Sequence, residues 1–144
     1  MEFCSEEYLQ EVMKRTNSDE EYLKLAKGDY TSYTFIIEPE PEKGVNKRLV
    51  MGYTVEDGKF TNIWSGEKPT EFIISGKYGV WVDILRGKLG VTRAFLTRKL
   101  KVKGNLMKLL KMTKSTNRWL EILRTIPTEF HGEYAQYNIK GEEK

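Results

Sequence analysis

With 144 residues, 39% hydrophobic and 31% charged, the chain has the length and composition of one globular domain with one core. Its apolar runs are shorter than the roughly 18 residues needed to cross a bilayer, and its acidic N-terminus lacks the basic and then apolar order of a secretory signal. The single cysteine, Cys4, leaves no internal disulfide, so we expect a cytoplasmic protein.

The net charge of +3 hides a strongly uneven distribution. The window 86–118 contains eleven Lys and Arg and no Asp or Glu, so it carries +11. The other 13 basic residues stand against all 21 acidic ones, which leaves −8 on the remainder. A field of this kind favours anionic partners such as lipid head groups, phosphates or nucleic acid, and a solvated basic face without a partner is the alternative.

Two short helices are predicted at the N-terminus. Ser5 is a suitable N-cap for residues 5–13, where apolar side chains recur at helical spacing behind two glutamates. After a break at residues 16–18, a second helix begins with an acidic turn at Asp19 and ends at Gly28.

From Ser32 the apolar period becomes two, which predicts strands. Tyr33, Phe35 and Ile37 share one face of the first strand. Further strands are predicted at residues 48–56, 60–64 and 71–75, and the second and third are joined by an Asp-Gly turn.

The second half of the chain alternates helices with one strand. A helix follows Gly76, and a short helix covers residues 91–96. Between residues 98 and 103, two apolar side chains alternate with three lysines, which predicts a half-buried strand. Asn105 is a suitable cap for the next helix, and a last helix begins at Thr116 and ends before Pro127.

Five strands with helices before and after the fourth and fifth predict an α+β domain over residues 1–144, with a mixed sheet covered by helices on one face. Tyr134, Tyr137 and Ile139 keep a packing role open for the polar tail that begins at Thr128.

Few groups suited to catalysis are present. His131 is the single histidine, and its only cysteine counterpart, Cys4, lies more than a hundred residues away without a supporting motif. Neither a zinc-ligand set nor a nucleotide-binding glycine loop is found. We therefore expect no enzyme activity, no cofactor and no metal.

The two features of the sequence that these observations leave unexplained are its excess of apolar residues in the helical segments and its positive charge. Long apolar side chains at helical spacing suit the wall of a pocket for an apolar ligand, and a plain core is the alternative for each of them. The candidate ligand-binding residues are Trp81, Leu85, Phe95, Leu96, Leu106, Met107, Leu110, Trp119, Leu120 and Leu123. The candidate anion-binding surface consists of Arg98, Lys99, Lys101, Lys103, Lys108 and Lys111.

Four short pieces of the chain, in order, resemble the sterol carrier protein 2 (SCP-2) domain. They are FIIS at 72–75, ILRGKL at 84–89, RAF at 93–95 and KLKVKGN at 99–105. The resemblance spans about residues 30–114. Gly90-Val91 stands where members often have Asp-Pro, and Arg98 where a glycine commonly precedes Lys-Leu-Lys.

The resemblance implies a five-stranded sheet with helices over one face and a hydrophobic tunnel between them. It also implies non-catalytic binding of fatty acids, acyl-CoA, sterols or other lipids. No ligand-contact motif comes with the resemblance, so the candidate pocket residues depend on amphipathic spacing alone.

Three functions follow from these observations. The leading hypothesis is lipid binding and transfer, with the basic window drawing the protein to anionic membranes or holding an anionic head group. A nucleic-acid module is the first alternative and is not expected, because Phe95 is the only aromatic residue in the basic window. The second alternative is an accessory domain that presents acyl substrates to a partner enzyme, with the acidic N-terminal helices as its docking face.

Overall fold

The computed structural model describes residues 1–142. Its helices and strands, in chain order, are α1 (Glu6–Asn17), α2 (Glu20–Leu25), β1 (Tyr30–Glu38), β2 (Leu49–Glu56), β3 (Lys59–Ser65), β4 (Phe72–Lys77), α3 (Tyr78–Leu85), α4 (Val91–Leu96), β5 (Lys101–Lys103), α5 (Leu106–Lys111) and α6 (Thr113–Leu123). Short 3-10 helices cover Pro41–Lys43 and Gly132–Tyr137.

The five strands form one open mixed sheet in the order β3-β2-β1-β4-β5. The central strand β1 is antiparallel to β2 and parallel to β4, whereas β2–β3 and β4–β5 are antiparallel. The register places Tyr33 opposite Tyr53 on one side and Phe72 on the other. The prediction of an α+β fold with a five-stranded mixed sheet is thus confirmed.

The period of two decides which side of the sheet the helices cover. Tyr33, Phe35 and Ile37 are all buried on the face of β1 that packs beneath the helices. On the opposite face, the loop after β3 crosses the sheet, and the Thr34 hydroxyl shares a 2.8 Å hydrogen bond with the Thr70 hydroxyl. The apolar face therefore carries the core, and the polar face is closed by a loop.

Side chains cap both N-terminal helices, and the cap of α1 is the predicted one. The Ser5 hydroxyl accepts a hydrogen bond from the Tyr8 amide at 3.2 Å, and the Asp19 carboxylate accepts one from the Tyr22 amide at 2.8 Å. Helix α1 runs through Asn17, beyond its predicted end, because tertiary contacts hold its last turn. Thr16 is fully buried, and its hydroxyl accepts a hydrogen bond from the Trp119 indole at 3.2 Å.

The segment from β5 to α6 is built on one tight turn and one helix junction. Gly104 has a φ of 128°, and a Cβ there would approach the Phe72 ring to 2.6 Å, so the turn requires glycine. The Asn105 side chain caps α5 by accepting from the Lys108 amide at 3.1 Å. Helix α6 begins at Thr113, earlier than predicted, because Met112 ends α5 and directly precedes α6.

The C-terminal tail closes the molecule beside the N-terminus. The Phe3 amide donates to the Glu129 carbonyl at 3.0 Å, and Thr128 pairs with Ile139. The Tyr134 hydroxyl donates to Glu40 at 3.0 Å, and burial together with the Glu40 carboxylate raises the Tyr134 pKa to about 12. The last residues of the tail, 143–144, lie outside the described part of the chain.

His131 joins the two ends of the chain through hydrogen bonds. Its Nδ1 lies 2.7 Å from the Tyr78 hydroxyl, and its Nε2 lies 2.6 Å from a Glu2 carboxylate oxygen. The hydrogen bond and the charge of His131 lower the pKa of Glu2 below its ordinary value. Burial raises the pKa of the Cys4 thiol, which keeps the sulfur protonated. Both ring nitrogens of His131 are therefore engaged by residues other than Cys4.

Arg98 carries a backbone strain that glycine would relieve. Its φ is 60°, a left-handed conformation that costs a residue with a side chain about 1 kcal/mol relative to glycine. We expect Arg98→Gly to raise the free energy of unfolding by about 0.5–1 kcal/mol in chemical denaturation. Arg93→Gly, within α4, is the matched control and should lower it by about 1 kcal/mol. Equal destabilisation by both changes would contradict this account.

The contact between Glu2 and His131 makes stability depend on pH. Because the pKa of Glu2 is lowered in the folded protein, its contribution is present above the unfolded value of 4.5 and is lost as the pH falls through the folded value. Glu2→Gln should therefore be less stable than the parent protein at about pH 6, and the two should converge near pH 3. Glu133→Gln, which removes an exposed tail carboxylate, should follow the parent throughout. Denaturation at each pH measures the difference, and a pH-independent difference would exclude this origin.

Candidate functional site

A cavity lies between the apolar face of the sheet and the helices that cover it. Strands β1, β2 and β4 form its floor, and α3, α4, α5 and α6 form its roof, with side chains of α1 and α2 at one side. The cavity has a volume of about 100 Å³, counted as the space that the centre of a water molecule can occupy. One water needs roughly 10–15 Å³ by that measure, so the space exceeds an ordinary packing defect.

Aromatic rings form much of the cavity wall. Tyr33 stacks on Tyr53 with centroids 4.9 Å apart, and Tyr53 stacks on Phe60 at 4.2 Å. From the roof, Trp81 and Trp119 approach Phe35 with centroids at 5.3 and 5.9 Å.

The two tryptophans of the wall are held by their indole N–H groups. The Trp81 Nε1 lies 3.1 Å from the Gly76 carbonyl oxygen and 3.3 Å from that of Ile36, at the end of the parallel pair β1–β4. Trp119 is fixed to Thr16 of α1, as described above. The wall is thus anchored to the sheet at one end and to the N-terminal helix at the other.

Seven of the ten candidate ligand-binding residues line this cavity: Trp81, Leu85, Phe95, Leu110, Trp119, Leu120 and Leu123. Leu106 is half-buried against the core but does not contribute to the lining. Leu96 and Met107 point outward, with 70% and 65% of their surfaces exposed. Residues at helical spacing therefore form much of the roof. Leu96 of α4 and Met107 of α5 face solvent instead.

The floor and one side of the cavity consist of residues that the sequence analysis did not nominate. They come from the strands and from the N-terminal segment: Phe3, Tyr8, Val12, Tyr22, Tyr33, Phe35, Ile37, Met51, Tyr53 and Ile74. The alternation in β1 and β2 places their apolar side chains on one face, which was the available signal. It did not show that this face borders a cavity.

The cavity has one charged lining residue within the described part of the chain, Asp29. The charge of Asp29 contributes to raising the pKa of Tyr22, Tyr33 and Tyr53, which also line the cavity. The Tyr33 hydroxyl lies 3.6 Å from the sulfur of Met112, a weak thioether acceptor. Burial raises the pKa of Asp29 and of the three tyrosines, so the phenols stay protonated.

The basic side chains of the window do not line the cavity. Three of its members are ion-paired: Arg118 with Asp19 at 2.7 Å, Lys108 with Glu71 at 2.6 Å, and Arg86 with Asp83 at 3.9 Å. The others are exposed and form no ion pair within residues 1–142: Lys88, Arg93, Arg98, Lys99, Lys101, Lys103, Lys111 and Lys114. Five of the six candidate anion-binding residues therefore carry uncompensated charge, and Lys108 does not.

Within residues 1–142, no group of three or more His, Cys, Asp or Glu side chains is placed to hold a metal ion. No helix in the described chain has the length and apolar character needed to span a membrane.

A five-stranded sheet with helices enclosing an apolar cavity defines a class of carrier-like folds. Residues 9–116 match the SCP-2 sterol transfer family, so this chain belongs to that family. The match confirms the resemblance and reaches further toward the N-terminus than the pieces that first indicated it, into α1. No protein of curated function matches the sequence at a significant level.

Solved structures show the same fold. A crystal structure of sterol carrier protein 2 superposes with a TM-score of 0.76 at 20% identity, covering 86% of this chain and 98% of that one. A conserved hypothetical protein from Thermus thermophilus gives a TM-score of 0.76 at 23% identity, covering 86% and 89%. At these identities the likeness establishes the fold, and family membership supports lipid binding in general.

The fold also occurs inside a larger enzyme. A sec-alkyl sulfatase gives a TM-score of 0.50 at 17% identity, covering 64% of this chain and 14% of that one. The similar region is a small part of the sulfatase, so the same architecture is found both as a carrier and as one portion of an enzyme.

Proposed function

We propose that this protein binds and transfers lipids without catalysing a reaction, holding a fatty acid, a fatty acyl-CoA or a sterol-like molecule in the cavity beneath its helices. The observation that carries the proposal is an apolar cavity at the sheet–helix interface of a chain that belongs to the SCP-2 sterol transfer family. Each methylene that moves from water into such a space contributes about 0.8 kcal/mol.

The cavity must widen to admit a lipid. Its open space is smaller than the pockets of several hundred Å³ that enclose larger ligands. The roof offers the means, because α5 has six residues and joins α6 through Met112, a flexible and half-buried side chain. Displacement of α5 and of the start of α6 would turn the cavity into a tunnel while the sheet stays intact.

The uncompensated basic residues form the second part of the proposal. Arg98, Lys99, Lys101, Lys103 and Lys111 are exposed, and Leu96 and Met107 add exposed apolar side chains in the same part of the chain. Positive charge with apolar side chains suits the surface of an anionic membrane, where each basic residue contributes about 1 kcal/mol. β5 is also an edge strand, and lysines there discourage pairing with another chain, so they have a structural reason as well.

Two further parts of the proposal concern where the protein works and whether it serves an enzyme. We place residues 1–144 in one lipid-binding domain that works in the cytoplasm, where Cys4 would remain a thiol. The sulfatase similarity favours an accessory role as a second candidate function, in which the domain presents an acyl substrate to an acyl-handling enzyme.

The wall of the cavity offers a matched pair of variants on one helix. Leu110 lines the cavity, whereas Leu106 is half-buried outside it. We expect Leu110→Asp to weaken uptake of a fluorescent acyl chain about tenfold or more, because a carboxylate would be placed where the ligand's methylenes lie. Leu106→Asp should bind nearly as well as the parent protein.

Native mass spectrometry after gentle purification gives the direct readout of bound lipid. Circular dichroism on both variants confirms that the fold is retained. Equal loss of binding in two folded variants would remove the assignment of the cavity as the binding site. A parent protein that takes up no acyl chain at all would remove lipid binding itself.

Membrane docking is tested by reversing charge on β5. Lys101→Glu/Lys103→Glu should reduce binding to vesicles containing phosphatidylserine about tenfold or more, and added salt should weaken the parent in the same direction. Lys14→Glu/Lys59→Glu changes the net charge equally at exposed positions outside the basic window and should have a smaller effect. Co-sedimentation measures the bound fraction, and equal effects of the two double variants would show that net charge alone acts.

The nucleic-acid alternative uses the same charges and is separated by filter binding. A true complex would lose affinity steeply with added salt and would be abolished by the β5 double variant. We expect no saturable binding to single- or double-stranded RNA or DNA.

A further inference from the structure

The cavity follows β1 from one end of the strand toward the other. Asp29 directly precedes β1 and lines the cavity, and Tyr33, Phe35 and Ile37 continue the floor along the strand. Ile37 pairs with Gly76 near the end of β4. A ligand that lies along β1 therefore has one end near Asp29 and the other near Ile37.

The end near Asp29 communicates with the protein surface. Asp29, Met112 and Ser115 line both the cavity and a depression on the surface beside it. Met112 also joins α5 to α6, the part of the roof whose displacement would admit a ligand. A lipid chain that enters here would extend along β1 toward Ile37.

The ring of Phe3 closes the opposite end of the cavity. Phe3 lines the cavity and is 6% exposed. Its ring meets the rings of Tyr78 and Phe130 edge to face, with centroids 5.8 and 5.4 Å away. Tyr78 directly follows β4, so this cluster lies beyond Ile37. Neither Tyr78 nor Phe130 lines the cavity, so Phe3 separates the open space from the packed cluster.

The backbone around Phe3 fixes the position of its ring. The Phe3 amide is bonded to the C-terminal tail, as described above. The Ser5 amide donates to the Glu2 carbonyl at 3.0 Å, which closes a turn whose third residue, Cys4, has a φ of 63°. This turn leads directly into α1, where the Tyr8 ring meets the Phe3 ring with centroids 5.5 Å apart. Phe3 is therefore held as a fixed end wall.

This end wall lies outside the part of the chain that matches the family. The match covers residues 9–116, whereas Phe3 precedes that stretch and Phe130 follows it. The match therefore includes most of the floor and roof of the cavity, but it does not include the residue that closes this end.

We propose that Phe3 is a specificity-determining residue that limits the length of the lipid chain that the cavity accepts. An acyl chain that enters near Met112 would bury one methylene after another until its terminal methyl group reaches the Phe3 ring. Each buried methylene strengthens binding about fourfold, whereas a longer chain must leave methylenes in water or force the ring aside. This inference rests on the proposed lipid-binding function and specifies the ligand of the same cavity by its length.

A series of saturated fatty acids of increasing length tests this limit. Each fatty acid competes with a fluorescent acyl probe for the parent protein, and affinity is plotted against chain length. We expect affinity to rise up to about fourfold per methylene and then to level off or fall at a defined length. Phe3→Ala should move this limit to chains longer by about two to four methylenes, because the ring leaves and its neighbours fill only part of the space. Affinities for chains below the limit should change by less than about twofold.

Two further variants separate the end wall from a general loosening of the core. Phe3→Leu keeps an apolar side chain of shorter reach, so it should retain the fold and move the limit by about one or two methylenes. Phe130→Ala removes a ring of the same cluster that does not line the cavity, so it should lower the Tm but leave the limit unchanged. Circular dichroism and thermal denaturation establish that each variant is folded.

The outcomes separate the chain-length limit from the lipid-binding function. An unchanged limit in folded Phe3→Ala and Phe3→Leu, or an equal shift in Phe130→Ala, would overturn the role of Phe3 while leaving lipid binding in place. A change by the same factor at every chain length would also overturn it, because an end wall acts only on chains that reach it. Failure of every fatty acid to compete, with no uptake of the probe, would remove the proposed function and the role of Phe3 together.

Discussion

The structure depends on the burial of one aromatic face of the sheet. β1 lies between β2 and β4, and its inward side chains, Tyr33 and Phe35, meet aromatic rings from both neighbouring strands and from the helices. Large rings contribute much of the apolar area removed from water on folding, which stabilises the pairing of β1 with two strands of opposite direction. Helices α1, α3 and α6 are held where they cover that face, since each buries apolar residues against it.

The same face also leaves the space that gives the protein its proposed function. Tyr33, Tyr53 and Trp119 meet at fixed ring angles, and their indole and phenol groups need hydrogen-bond partners that an aliphatic core would not. Trp119 finds its partner in Thr16, whereas the Tyr53 hydroxyl has none among the described residues.

The charged groups around the cavity differ in their exposure to solvent. The exposed lysines of β5 and α5 are solvated, so their effect extends over a Debye length and bears on encounters with other surfaces. Asp29 is half-buried in a region of lower dielectric, where a single charge acts strongly on whatever lies beside it. The uncompensated basic side chains therefore lie on the surface, whereas the one charged group among the described lining residues of the cavity is a carboxyl.

The sequence by itself determined the elements of this fold, because each depends on local chemistry. Ser5 and Asn105 cap the helices they were expected to cap, Asp19 begins α2 at its predicted acidic start, and the alternation in β1 and β2 assigned the buried face. The boundaries that differ are set by distant partners. α1 continues to Asn17 because Thr16 meets Trp119 and Asn17 bonds the Phe60 backbone, contacts that no local pattern encodes.

The site was determined only in part by the sequence. Helical spacing assembled most of the roof, but Leu96 and Met107 lie on the outward faces of the short helices α4 and α5 and are exposed to solvent. Only the tertiary structure decided that strand residues form the floor and that Asp29 is the cavity's charged group, because cavities arise from the mismatch of packed surfaces. The basic side chains of the window do not line that space, because charged side chains remain solvated when no buried partner compensates them.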